Sequence, residues 1–184
     1  GTERRMGEYD FSGYDKLVES MAKRQIRCLF IFDYSNRLYD GGVSPHTDAG
    51  RKAFAKWAAA GAVHFKRKGI IWEIWNEPNI SQFWKPKPSA EDYAALALEV
   101  IEAVKKAEPG AFIIGPASST FPWPFFQVLA DKGVLNKLDA VSVHPYRQSI
   151  PETAEKDYQR LRLLIDRHLD HHIPIISGEW GYST

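Results

Sequence analysis

Five short runs of β-branched and aromatic residues punctuate this chain, and helical patterning follows four of them. The runs are IRCLFIFDY (26–34), IIWEIWN (70–76), AFIIGPAS (111–118), LDAVSVHPY (138–146) and IPIISGEW (173–180). Near-continuous apolar strands alternating with amphipathic helices predict an α/β fold, in which a parallel sheet is buried under covering helices. No break in composition divides the sequence, so a single domain over 1–184 is expected.

The helices read from their spacing. Residues 47–68 place Phe54, Trp57, Ala58, Gly61, Ala62 and Phe65 on one face. Residues 89–109 carry the stripe Tyr93, Leu96, Ala97, Val100, Ile101 and Val104, with Ser89 as N-cap and Pro109-Gly110 as the stop. Two more are expected at 123–132, closed by Gly133, and at 152–170, and a leading helix at 13–25.

Composition excludes several classes of function. The formal charge is +1, from 24 basic and 23 acidic residues that are interspersed, so no basic stripe points to nucleic acid. No segment approaches the ~18 apolar residues of a membrane span. Cys28 is the only cysteine, which rules out an internal disulfide and a cysteine-based zinc site. The opening GTERRMGEYD does not read as a signal peptide, and the compartment stays open.

The chemistry gathers where the strands end. The first run ends in Asp33, Tyr34 and Asn36, the second in Asn76 and Glu77, the fourth in His144 and Tyr146, the fifth in Glu179 and Trp180. In a parallel α/β sheet these ends share one rim, where ligands bind. Paired carboxyls with an amide, a His, a Tyr and Trp rings suit glycosidic cleavage. One carboxyl protonates the leaving oxygen, and the other meets the charge that develops at the anomeric carbon.

WEIWNEPN, VSVHPY and ISGEWG, in that order, resemble the retaining glycoside hydrolases of clan A, with families 5 and 39 the nearest in character. The resemblance implies a (β/α)8 TIM barrel, of which this chain supplies about five parallel strands, equivalent to the third to seventh. It implies Glu77 as acid/base, Asn76 on the sugar 2-hydroxyl, Glu179 as nucleophile, and His144 and Tyr146 beside the nucleophile. Trp180, Asp33, Tyr34 and Asn36 are further candidates for touching substrate. The implied reaction is hydrolysis of β-linked glucosides, galactosides, mannosides or xylosides by double displacement. It requires no cofactor and no metal, and its partner is a carbohydrate. Five strands without closure leave two open edges, and a homo-oligomer covering them is expected.

Other readings stand beside this one. The chain can be an inactive or weakly sugar-binding fragment of a barrel. A metal-dependent hydrolase using His144, Glu77 and Glu179 is a third reading, weakened by the single strand-end His. Glu73 shares strand parity with Trp75 and Glu77 and is expected to point inward, in an ion pair with a residue such as Arg27. Trp84 either stacks on sugar or pins its own loop.

Overall fold

A computed structural model describes residues 1–182. The chain opens with an antiparallel hairpin, β1 (Glu3–Arg5) and β2 (Glu8–Tyr9). Then follow α1 (Asp15–Lys23), β3 (Leu29–Phe32), α2 (Asp48–His64), β4 (Ile71–Ile74), α3 (Ala90–Ala107) and β5 (Phe112–Ser119). The remainder is α4 (Trp123–Asp131), β6 (Ala140–His144), α5 (Ala154–His168) and β7 (Ile175–Ser177).

The main sheet is entirely parallel and runs β3-β4-β5-β6-β7. Its spatial order follows the chain order without reversal. A doubly wound sheet reverses at a switch point, whereas a barrel does not. The five strands are therefore a continuous arc of a barrel wall.

Helices cover the outer face. Phe32 and Trp72 stack with ring centroids 4.5 Å apart, and Phe54, Ala58 and Ala62 of α2 are buried in the same core. Leu96, Val100 and Val104 of α3, Phe126 and Leu129 of α4, and Leu161 and Ile165 of α5 extend that core along the sheet. Thr47 and Ser89 cap their helices by accepting from Gly50 N (3.0 Å) and Asp92 N (3.1 Å). Among the described residues no helix is long and apolar enough to cross a membrane.

Four of the five strands are shorter than the runs that signal them. The run 26–34 pairs only over Leu29–Phe32, since β3 is an edge with one neighbour in the sheet. The hairpin escapes sequence reading because strands of three and two residues carry no period. It is pinned by its contacts: Trp57 Nε1 donates to Thr2 Oγ1 (2.8 Å), and Tyr39 Oη donates to Glu3 Oε1 (2.8 Å).

Candidate active site

The end of β4 is shaped by two residues in unusual backbone conformations. Trp75 has φ +63° and Glu77 φ +44°, a region that costs a side-chain-bearing residue about 1–3 kcal/mol. Surrounding bonds hold the turn in place. Trp75 N donates to Phe32 O (3.0 Å), Trp75 Nε1 to Phe83 O (3.2 Å) and Glu77 N to Ala117 O (3.0 Å). Asn79 exchanges two bonds with the Ser119 backbone, at 2.9 and 2.8 Å. The period-2 alternation breaks here, so Trp75 packs against Phe54 of α2 and Trp84. Trp84 is fully buried in that cluster and pins its loop.

The same turn brings Glu77 to His144. The imidazole is fully buried at the end of β6, with Nδ1 3.2 Å from Glu77 Oε1 and 3.8 Å from Glu179 Oε2. One nitrogen thus stands between two carboxylates that are about a hundred positions apart in sequence. The Glu77 side chain is nearly enclosed and that of Glu179, beyond β7, is half exposed.

The other residues singled out above divide into two groups. Asn76 is buried beside Glu77; its Nδ2 donates to Tyr34 Oη (3.5 Å), and its Oδ1 has no partner among the described residues. Tyr34 stacks on Phe83, and the negative charges of Asp33, Glu179 and Glu77 join desolvation in raising its pKa. Tyr146 and Trp180 stand partly exposed at the rim. Asn36 lies apart: its amide donates to Glu3 O (3.1 Å) and accepts from Leu38 N (3.0 Å). A cleft of about 520 Å³ opens between the hairpin and the end of β3. Asp33, Tyr34 and Asn36 line it with Trp57, and neither Glu77 nor Glu179 does.

Glu73 points inward as expected, but not into an ion pair with Arg27. The Arg27 guanidinium donates to Gly69 O (2.9 Å) and lies over the Phe112 ring, tied to the start of β4 rather than its end. Both Glu73 oxygens are buried and neither has a hydrogen-bond partner of full geometry among the described residues. Burial pushes its carboxyl up to about 7, with the charges of Glu179 and Asp33 adding to the effect. Asp33 is likewise pushed up to about 7 by burial, against a hydrogen bond from Tyr34. Among the described residues no set of three His, Cys, Asp or Glu side chains is arranged to hold a metal ion.

The sequence and its parallel barrel arc have counterparts in known proteins. Residues 3–184 match the family described as Cellulase (glycosyl hydrolase family 5). A β-xylosidase of Geobacillus stearothermophilus is 30% identical over 181 residues, spanning 84% of this chain and 34% of the relative. A family 39 glycoside hydrolase from the gut symbiont Bacteroides cellulosilyticus WH2 superposes on 98% of this chain with a TM-score of 0.80 at 24% identity, using 41% of its own length. A monomeric β-xylosidase from Caulobacter crescentus CB15 does so over 95% with a TM-score of 0.76 at 21% identity, again using 41% of its own length. The chain therefore spans about a third of the curated relative and about two fifths of these structures.

Proposed function

Because the chain belongs to the cellulase family, glycosyl hydrolase family 5, we propose that its rim hydrolyses β-glycosidic bonds with retention of configuration. The observation that carries this reading is the shared imidazole: Glu77 Oε1 and Glu179 Oε2 both lie within 3.8 Å of His144 Nδ1. Those two distances keep the nearest carboxyl oxygens within about 7 Å of each other, which accommodates the ~5–5.5 Å spacing of retaining enzymes and only the lower end of the ~6.5–9.5 Å spacing of inverting ones.

In the first step Glu179 attacks the anomeric carbon. The bond to the leaving oxygen breaks as Glu77 gives that oxygen its proton, and a glycosyl ester on Glu179 remains. In the second step ionised Glu77 takes a proton from water, whose oxygen attacks the same carbon and releases Glu179. Asn76, with its free Oδ1 beside Glu77, is suited to the sugar 2-hydroxyl. Tyr146, Trp180, Tyr34 and Asp33 edge the region a sugar would enter. Asn36 is a weaker candidate, since its amide serves the hairpin.

The substrate class is a β-linked glucoside, galactoside, mannoside or xyloside, and the xyloside comes first because two of the relatives are named β-xylosidases. The test is hydrolysis of nitrophenyl β-glycosides by the 184-residue chain beside Glu179→Gln. Turnover that disappears in the variant supports the assignment, and turnover unchanged by it overturns the assignment.

The modest share of its relatives that this chain spans supports a second reading, a sugar-binding arc without turnover. A folded sample inactive on the whole panel favours it. Among the described residues the edge strands β3 and β7 each have one neighbour, and association of copies through them would cover these edges. Light scattering at micromolar concentration that finds only monomer counts against association.

A further inference from the structure

Two buried atoms without hydrogen-bond partners face the same glycine. A Cβ placed on Gly178 would lie 3.1 Å from His144 Nε2 and 3.2 Å from Glu73 Oε1. Both atoms thus border the small space that a methyl group on Gly178 would occupy. The glycine is itself anchored, its N–H donating to Val143 O at 3.0 Å.

We propose that Glu73 is a positioning residue that acts on His144 past Gly178 through one bridging water, and holds the imidazole in the tautomer with its hydrogen on Nδ1.

A neutral imidazole has one donor nitrogen and one acceptor nitrogen. Nδ1 faces carboxyl oxygens, Glu77 Oε1 at 3.2 Å and Glu179 Oε2 at 3.8 Å, so hydrogen on Nδ1 satisfies that side. Nε2 must then accept, and a neutral Glu73 has an O–H to give.

The surroundings keep Glu73 neutral in mildly acidic solution. A buried carboxylate without a partner is costly, and Asp33 beyond β3 and Glu179 beyond β7 add negative charge. On β6 the Ser142 hydroxyl works against the rise in the Glu73 pKa as the second-largest influence, short of a hydrogen bond of full geometry among the described residues. On α3 the Tyr93 hydroxyl is spent on Ile74 O (3.0 Å). No Lys or Arg pairs with any of these carboxyls among the described residues.

The value of this arrangement to catalysis rests on the hydrolase reading above. An Nδ1 donor 3.2 Å from Glu77 Oε1 orients the Glu77 carboxyl at the rim. Once Glu73 ionises, hydrogen on Nε2 becomes favoured, and the rim loses its donor.

The test is nitrogen NMR of histidine-labelled protein, a readout that does not depend on turnover. The other five histidines, His46, His64, His168, His171 and His172, are exposed and are removed one at a time to assign His144. Spectra are taken at about pH 6 and about pH 8, either side of the value near 7 for Glu73. At the lower pH the wild type should show Nδ1 protonated and Nε2 unprotonated, and at the higher pH the pattern should reverse. Glu73→Gln, whose amide can also donate, should keep the low-pH pattern at both. Glu73→Leu and Gly178→Ala should each give mixed tautomers, the latter with Glu73 still present. A His144 pattern that is unmoved by Glu73→Leu, or that has Nε2 protonated at the lower pH, overturns the proposal.

Discussion

His144 Nδ1 lies 3.2 Å from Glu77 Oε1 and so joins the end of β6 to the end of β4 over the intervening β5. These strands share no hydrogen bonds in the sheet. The contact exists because the sheet curls, which brings side chains from alternate strands together on the inner face. The consequences of that arrangement can be measured.

Glu77→Gln should slow hydrolysis in proportion to how much help the leaving group needs. With an alkyl β-xyloside the loss should approach the 10²–10⁴-fold typical of acid–base catalysis, roughly. With a nitrophenyl β-xyloside the first step needs little protonation, and added azide should restore product as a glycosyl azide. Comparing initial rates on the two substrates checks this, and equal losses on both would remove Glu77 from the acid/base role.

Glu73 should make the fold less stable as pH rises. Its carboxyl stands near 7 in the folded chain against an ordinary value of 4.5, so the folded state binds the proton more tightly than the unfolded state. The contribution is complete below about 4.5 and is lost as pH climbs to about 7, on the order of 3 kcal/mol in all. Glu73→Gln should abolish this component. Urea unfolding of both proteins at about pH 5 and about pH 8 should show the variant relatively more stable at the higher pH.

Gly115→Ala should destabilise the barrel wall by about 1–3 kcal/mol. The new methyl would meet the Tyr93 hydroxyl at 2.8 Å and force it from Ile74 O, its acceptor at 3.0 Å. Tyr93 is fully buried, so it has no water to turn to. Thermal melts, compared with Gly13→Ala, where the Cβ position is open and the backbone is not left-handed, separate the steric effect from a general cost of losing glycine.

Asn79→Ala should weaken the turn that carries Glu77. It removes both bonds to Ser119 and leaves that backbone N–H and C=O without their partner. A loss of about 2–3 kcal/mol in denaturant unfolding is expected. Any hydrolysis should fall further than the stability loss alone explains, since Glu77 would relax from φ +44°. Unchanged kinetics in a folded variant would show that the turn does not depend on Asn79.

Much of the frame was legible because it depends on local patterning. The helix from Ala90 to Ala107 announces itself through Ser89, its apolar stripe and the Pro109-Gly110 stop. That Glu77, His144 and Glu179 share a rim follows from each ending a parallel strand. Other features were hidden because they depend on backbone excursions. Parity places Trp75 with Glu73, yet φ +63° turns it to the helix side. Arg27 is a plausible charge partner in a one-dimensional reading, but it enters β3 at the opposite end from the rim and is used by Gly69.

The sequence by itself determined the five strands of the main sheet and the helices between them, the side of those helices that is buried, and the residue types gathered at the rim. These follow from periodicity and side-chain chemistry, which act over a few residues at a time. Only the tertiary structure decided that His144 Nδ1 lies near both glutamates, that no Lys or Arg among the described residues pairs with Glu73, and that Glu73 and the imidazole both border Gly178. Those are distances across the hollow of a curled sheet, set by its curvature and by residues held in left-handed conformations, and no local pattern encodes them.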